Sequence, residues 1–444
     1  MPFSEFIAVL LQALSHEGVR PCVLRNYQGF PARNIGNDID LLIAPSDLPN
    51  AVRAIRSIEG IRIVGYAERP YVANVFLEGI SRDTNSRALE IDFDMRMSWK
   101  GLPPFLSTEE VLEAAIPYPT GNPTFFVPSP VHEAIISLLM SLFAGGWLKE
   151  KYFPAVQKTF TDERSEVIAA LLPKFGREAT THLVDSVIDG DRGKVLECVR
   201  PLRIALFMRS MSRRPIRSLI AVGCHYANEF SFRYSPNTLE SVSILGLDDS
   251  GKSRIAEALI PRLQSMAAHV ESRTLRRQLP LESQSLAATM NLGSHIKEPS
   301  GSLVSMANAV RWLMREWLNR FSEKKNLTLA VREEGCHDLL VYPLRSRYNG
   351  PKWFTRLVGR LLPHSILCIL LDRSVEEPQS NDQQNCSSVR PTQLEAFLSF
   401  VKPERSYAIL DASKPVANIV DDAYAAIVDA LAQRTAIMLT KRFL

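Results

Sequence analysis

Along the first 128 residues, apolar positions change period several times. An opening helix over 3–17 gives way to short alternating runs, separated by the turn-rich joints YQGFPARNIGND and YPTGNPTF. From 129 to 234 the pattern is helical almost throughout, in the successive runs VHEAIISLLMSLF, ERSEVIAALLPKFG, EATTHLVDSVID, GKVLECVRPLRIALFMRSM and PIRSLIAVGCHYANEFSFRY. The most apolar of these, within 130–148, carries His132 and Glu133 and reaches Gly145-Gly146 after about a dozen apolar-rich residues. That is short of the ~20 a spanning helix needs, so a buried core helix is expected. At 235–237 the tripeptide SPN marks a joint, after which a strand, a loop and a helix follow in quick succession. No internal repeat stands out. The polar stretch EEPQSNDQQNCSSVRP at 376–391 reads as a mobile loop.

Composition narrows the classes. The 444 residues suffice for two or three domains, and 46% hydrophobic with 23% charged residues is ordinary for a globular protein. A net charge of +4 is too small at this length to argue for a nucleic-acid partner. Cys22, Cys198, Cys224, Cys336, Cys368 and Cys386 are scattered without CxxC or close Cys/His spacing, which argues against zinc and against a disulfide framework and suits a reducing cytoplasm. Glu5 interrupts the opening segment, which also lacks a basic leader and a small-residue cleavage site, so no secretory signal is expected.

The strand-loop-helix after the joint is SVSILGLDDSGKSRIAEALI, residues 241–260. Gly246 to Ser253 fits G-x-x-x-x-G-K-[ST] at every fixed position. Glycines at those places let backbone N–H groups converge on a β-phosphate, a lysine at the position of Lys252 reaches the β- and γ-oxygens, and the Ser253 hydroxyl can ligate Mg²⁺. The apolar β-branched run before the loop and the amphipathic run after it supply the strand and helix this cradle requires. Asp248, Asp249, Ser250, Gly251 and Arg254 complete the candidate nucleotide-binding stretch.

This segment resembles the thymidylate-kinase-like P-loop family, with Asp248 two residues past the first glycine. LAVREEGCHDLLVYPLRSRYNGP at 329–351, the strand HSILCILLDRS ending near Asp372, and SYAILDASKPVANIVDDAYAAIVDAL extend the resemblance over residues 238–434. It implies ATP and Mg²⁺ as ligands and phosphoryl transfer as chemistry. Aligned through Asp338, the family's Asp-Arg pair becomes Glu333-Glu334. Glu333 can still organise the water shell of Mg²⁺, while Glu334 puts negative charge where a guanidinium belongs. The lid after Asp372 offers only Arg390 to neutralise a transferring phosphoryl group, so kinase activity is expected to be weakened. Arg345 and Arg347 read equally as an anion-binding pair for an acceptor phosphate or as a solvated helix face.

The second signal is acidic. In GNDIDLLIAPSDL, residues 36–48, Asp38 and Asp40 straddle Ile39, and in an extended segment both carboxylates project from one face. ALEIDFD later puts Glu90, Asp92 and Asp94 on one face of another strand. Two carboxylates from one strand and a third from a neighbour can hold divalent ions for attack on a nucleoside triphosphate. Residues 1 to about 160 resemble the minimal nucleotidyltransferase fold, most closely an uncharacterised nucleotidyltransferase family with R…DIDLL. The resemblance implies that Asp38, Asp40 and Asp92 are the metal ligands and that Arg25 contacts the triphosphate. LRNY stands where that fold usually has a Gly-Ser or Gly-Gly pair.

The expected architecture is therefore α/β and multidomain: a nucleotidyltransferase-like α+β domain over 1–128, a helical bundle over 129–234, and a P-loop parallel α/β domain over 235–444. The expected activity is a cytoplasmic transferase using ATP and Mg²⁺ on an unknown small, phosphorylated or sugar-like acceptor. No nucleic-acid partner and no membrane span are expected, and association into a homodimer stays open. The rival is a nucleotide-binding regulatory or interaction protein whose kinase domain has lost catalysis.

Overall fold

A computed structural model describes residues 1–32, 38–81, 88–118, 125–234, 241–246, 250–264, 266–273, 301–333, 348–361, 365–372 and 406–443. The chain divides into two compact units, the first formed mainly by Met1–Arg82 with Leu89–Ser235 and the second mainly by Pro236–Arg442.

The first unit is built on a mixed seven-stranded sheet. Its strands are β1 (Cys22–Val23), β2 (Asp38–Leu42), β3 (Arg62–Glu68), β4 (Val72–Glu78), β5 (Ala88–Asp94), β6 (Ile116–Pro117) and β7 (Phe126–Val127), in the spatial order β3-β4-β5-β2-β1-β7-β6. Two short runs, DIDLL and ALEIDFD, pair in parallel with Asp38 opposite Glu90, Ile39 opposite Ile91 and Asp40 opposite Asp92. The two-residue period then separates the faces. Ile39, Leu41, Ile91 and Phe93 are buried on one side, and the carboxylates gather on the other.

Helices follow the same logic. Phe3, Phe6, Ile7, Leu10 and Leu14 form the buried stripe of α1 (Phe3–His16). The others in this unit are α2 (Leu48–Arg56), α3 (Thr108–Glu113), α4 (Pro130–Ala144), α5 (Phe153–Asp162), α6 (Arg164–Phe175), α7 (Arg177–Ile188), α8 (Arg192–Glu197), α9 (Val199–Arg213) and α10 (Pro215–Tyr234). The start of α4 is set by the Ser129 side chain, which accepts from the His132 N–H, and by Pro130 in its first turn. Ten residues of α4 are buried, Leu139 and Leu142 completely. One hydrophobic core runs from Cys22, Leu42 and Phe105 through α4 to Phe160, Leu171, Leu183 and Leu202. Part of the sheet, through Cys22, Leu24 and Leu42, thus shares an apolar interior with helices α3 to α9. Among the described residues, no helix is long and apolar enough to cross a membrane.

The second unit carries an all-parallel five-stranded sheet: β8 (Val242–Gly246), β9 (His269–Arg273), β10 (Thr328–Arg332), β11 (Leu367–Asp372) and β12 (Ser406–Asp411), ordered β12-β11-β8-β10-β9. Each residue of β8 and β10 is buried, as expected of strands covered on both faces. Its helices are α11 (Lys252–Leu263), α12 (Ser302–Asn326), α13 (Lys352–Leu361) and α14 (Val416–Phe443).

Candidate functional site

Parallel pairing of β2 with β5 brings Asp38, Asp40 and Asp92 together, with one carboxylate oxygen of each lying within 4.8 Å of the others. Oxygens sharing a divalent ion at about 2.0–2.6 Å can be separated by at most about twice that distance, so this spacing fits a shared ion. Glu90 and Asp94 extend the same acidic face.

Concentrating carboxylates in a poorly hydrated place has a cost, visible in their protonation. Burial, then Asp40, pushes Asp92 up to about 7; burial, then Asp92, pushes Glu90 up to about 8. Asp94, buried, is held well above the usual carboxylate range by burial and by Asp40. Asn74 on β4 partly offsets this by donating its Nδ2–H to Asp92 at 2.7 Å and to Glu90 at 3.2 Å.

Arg25, which the resemblance implied to contact a triphosphate, lies at the acidic cluster. In this structure it grips Asp40, with Nε donating to one carboxylate oxygen at 2.6 Å and Nη2 to the other at 2.5 Å. Asp40 is 1% exposed. Burial alone would make the guanidinium easier to deprotonate, but the paired carboxylate outweighs it and raises the pKa of Arg25. The strand-end turn holding Arg25 is fixed from the helical side. Asn26, in a left-handed conformation at φ 59°, accepts from the Tyr152 hydroxyl at 2.9 Å and from the Lys151 ammonium at 3.3 Å. Lys149 comes near enough to feel Asp40 and Asp38. Burial, with Arg25 next, lowers its pKa.

Asn74, Lys149, Lys151 and Tyr152 were missed in the sequence. A lone amide within VANVFLE was a faint signal for Asn74. GGWLKEKY offered two lysines after a helix, with nothing to aim them at β2.

In the second unit, Gly246 closes β8, and Gly251, at φ +81°, precedes Lys252, which opens α11. A side chain at Gly246 would press against Ser250 Oγ at 2.8 Å and against Leu371 at 3.0 Å, so the close approach of β8 to β11 requires glycine there. The Lys252 ammonium donates to the Gly246 carbonyl at 2.6 Å, folding back toward the end of β8. Ser250 is buried and its hydroxyl has no partner among the described residues. Ser253 and Arg254 are exposed on the first turn of α11. Glu333, just past β10, is 6% exposed and accepts from the Ser272 hydroxyl at 2.7 Å. β8 has β11 on one side and β10 on the other, so this loop leaves the sheet where strand order reverses, at its carboxyl edge. Asp248, Asp249, Glu334, Arg345, Arg347 and the 376–391 segment with Arg390 lie outside the described residues.

No protein-family profile and no curated protein matches the chain. Among solved structures it is similar to thymidylate kinase from Candida albicans, at 14% identity and a TM-score of 0.30, over 44% of this chain and 93% of that one. The likeness is too slight to bear on fold or activity.

Proposed function

We propose that this chain is a metal-dependent transferase acting on nucleoside triphosphates, with nucleotidyl-type transfer at the acidic cluster and a second nucleotide bound by the phosphate loop. The observation that carries the reading is the convergence of Asp38, Asp40 and Asp92 from two parallel strands, within reach of one divalent ion. A Mg²⁺ or Mn²⁺ ion there would neutralise triphosphate oxygens and orient them for in-line attack. The residues of the chain itself do the rest. Arg25 and Lys149 place positive charge beside the carboxylates, where a triphosphate must lie. Asn74 holds Asp92 in its orientation. In the second unit, Lys252 and the first turn of α11 are suited to a β-phosphate, and Glu333 to the water shell of Mg²⁺.

The acceptor is proposed to be small and hydroxyl-bearing, phosphorylated or sugar-like. The rival reading, nucleotide sensing without phosphoryl transfer, is favoured by Glu333-Glu334 replacing an acidic-basic pair and by the single arginine at 376–391.

The test is product analysis with ATP, CTP, GTP and UTP plus Mg²⁺ or Mn²⁺. Release of pyrophosphate that disappears in Asp40→Asn and Asp92→Asn, and persists in Lys252→Ala, is the expected result. A wild-type protein that binds no more Mn²⁺ than the Asp38→Asn/Asp40→Asn/Asp92→Asn variant would refute the reading at its root.

A further inference from the structure

The first unit holds a cavity of about 530 Å³ that shares no residue with the acidic cluster. Six cationic side chains line it: Arg96, just past β5; Lys174, near the end of α6; and Arg209, Arg213, Arg214 and Arg217, from the elbow between α9 and α10. Among the described residues, the only carboxylate in its wall is Glu109. The whole chain nets +4, so this one concavity gathers more positive charge than the chain carries in sum. The sequence explains how: from Val199 to Asn228 there are six arginines and no acidic residue.

A row of arginines is ordinarily a solvated helix face, each guanidinium screened by water and salt. Two observations separate this cluster from that case. The charges come from three separate stretches of chain and surround a hollow rather than a convex surface, with the buried Met95, Leu102 and Leu206 also in its wall. The apolar part of the wall strengthens the mutual repulsion of the charges and focuses their field into the hollow. In addition, none of the six enters a salt bridge among the described residues, and the buried Nε of Arg209 has no hydrogen-bond partner. Arginine forks match phosphate oxygens in pairs, and the volume falls in the roughly 300–1,000 Å³ range of small-molecule sites.

We infer that this cavity is a binding site for a ligand bearing two or more phosphate groups, separate from the acidic cluster and from the phosphate loop. The phosphates can come from a free molecule or from a lipid headgroup. The second source is raised by Ile216, Leu219 and Ile220, exposed on the same helix as Arg217. The inference does not rest on the transferase reading.

The experiment uses the full-length Lys252→Ala protein in EDTA, which silences the phosphate loop and any metal site. Binding of inorganic tripolyphosphate is measured by calorimetry, and binding to phosphatidylcholine vesicles containing phosphatidylinositol bisphosphate by sedimentation. Wild-type cavity residues should bind at least one probe, with affinity falling steeply as salt rises. Arg213→Gln/Arg217→Gln should weaken binding about tenfold or more, because two charge-assisted contacts are lost. Arg56→Gln/Arg177→Gln/Arg200→Gln, which removes more charge from outside the cavity, should change it less than about twofold. Arg96→Gln, from the strand side of the cavity, is a second variant that should weaken the same probe. Binding of tripolyphosphate alone assigns a soluble ligand, and binding of vesicles alone a headgroup; either upholds the site. Binding of neither probe, or equal loss in the cavity and outside variants, overturns it. Without probe, Arg213→Gln/Arg217→Gln should melt no lower than its parent, since it relieves repulsion.

Discussion

Arg25 and Asp40 form the tightest electrostatic pair in the acidic cluster, and the carboxylate is almost wholly enclosed. Removing one member of a buried pair leaves the other charge uncompensated, at a cost of about 3–5 kcal/mol. Arg25→Gln is therefore expected to lower metal-free stability by roughly 3 kcal/mol in denaturant titration. Adding Mn²⁺ should recover most of that loss, because a cation replaces the guanidinium beside Asp40. A variant that stays destabilised at saturating Mn²⁺ would show that Asp40 is not a ligand. The neighbouring carboxylates set a pH dependence. Folded Asp92 and Glu90 release their protons near 7 and 8, against about 4 for unfolded carboxyls, so the folded chain holds more protons between those limits. Stability of the metal-free protein should thus fall as pH rises from about 4 to about 8, then level. Asp92→Asn should flatten the slope and stabilise the protein at pH 8 by an amount on the order of 2 kcal/mol. It should also abolish Mn²⁺ binding. A metal-free protein more stable at pH 8 than at pH 5 would contradict the assignment. The alternation that places Asp38 with Asp40, and Asp92 with Glu90 and Asp94, was legible in the sequence because a strand has only two faces. That Asp40 faces Asp92 was not derivable from periodicity, since it depends on which strand lies beside β2. The grip of Arg25 on Asp40 was hidden for the same reason.

Among elements, the β8–loop–α11 segment was the most readable, because its chemistry is local: a buried strand, two glycines and a lysine at a helix start. Lys252 folds back onto the Gly246 carbonyl, a contact that costs little to exchange for phosphate oxygens. Lys252→Ala should change unliganded stability by less than about 1 kcal/mol. It should remove most of the thermal stabilisation by Mg·ATP in the Asp40→Asn/Asp92→Asn background, since a ligand stabilises only through its affinity for the native state. Equal shifts with and without Lys252 would argue that the loop does not hold nucleotide. Less legible was the segment after α4. GGWLKEKY gives no periodic signal, yet Lys151 and Tyr152 secure Asn26 and so the turn that carries Arg25.

At the scale of the molecule, the chain divides into two compact units, mainly Met1–Arg82 with Leu89–Ser235 and Pro236–Arg442. The sequence did not disclose that part of the sheet in the first unit shares a core with helices α3 to α9, because such a core is assembled from residues as distant as Leu42, Phe105 and those of α4, which no local pattern brings together. The cationic cavity was equally unreadable, since Arg96 and Lys174 come from distant segments to meet the α9–α10 elbow. Each unit has buried hydrophobic residues of its own, so two melting transitions are expected. Differential scanning calorimetry of Lys252→Ala should show Mn²⁺ raising one transition, and Asp40→Asn/Asp92→Asn should show Mg·ATP raising the other. A single transition moved by both ligands would mean that the units unfold as one.

The parallel pairing of β2 with β5 also has a kinetic meaning. Between Asp40 and Asp92 the chain forms α2 and the β3–β4 hairpin, and β5 must insert between β4 and β2. Contacts of such long range form late, after the loop they close has lost its freedom. We expect the carboxylates to meet only after the chain crosses its main folding barrier, so that a cation has nothing yet to bridge there. Mn²⁺ should leave the refolding rate of the first unit nearly unchanged and slow its unfolding by the whole of the stability the ion adds. Stopped-flow chevrons with and without Mn²⁺ would read this directly, and an accelerated refolding limb would place the meeting of β2 and β5 before the barrier.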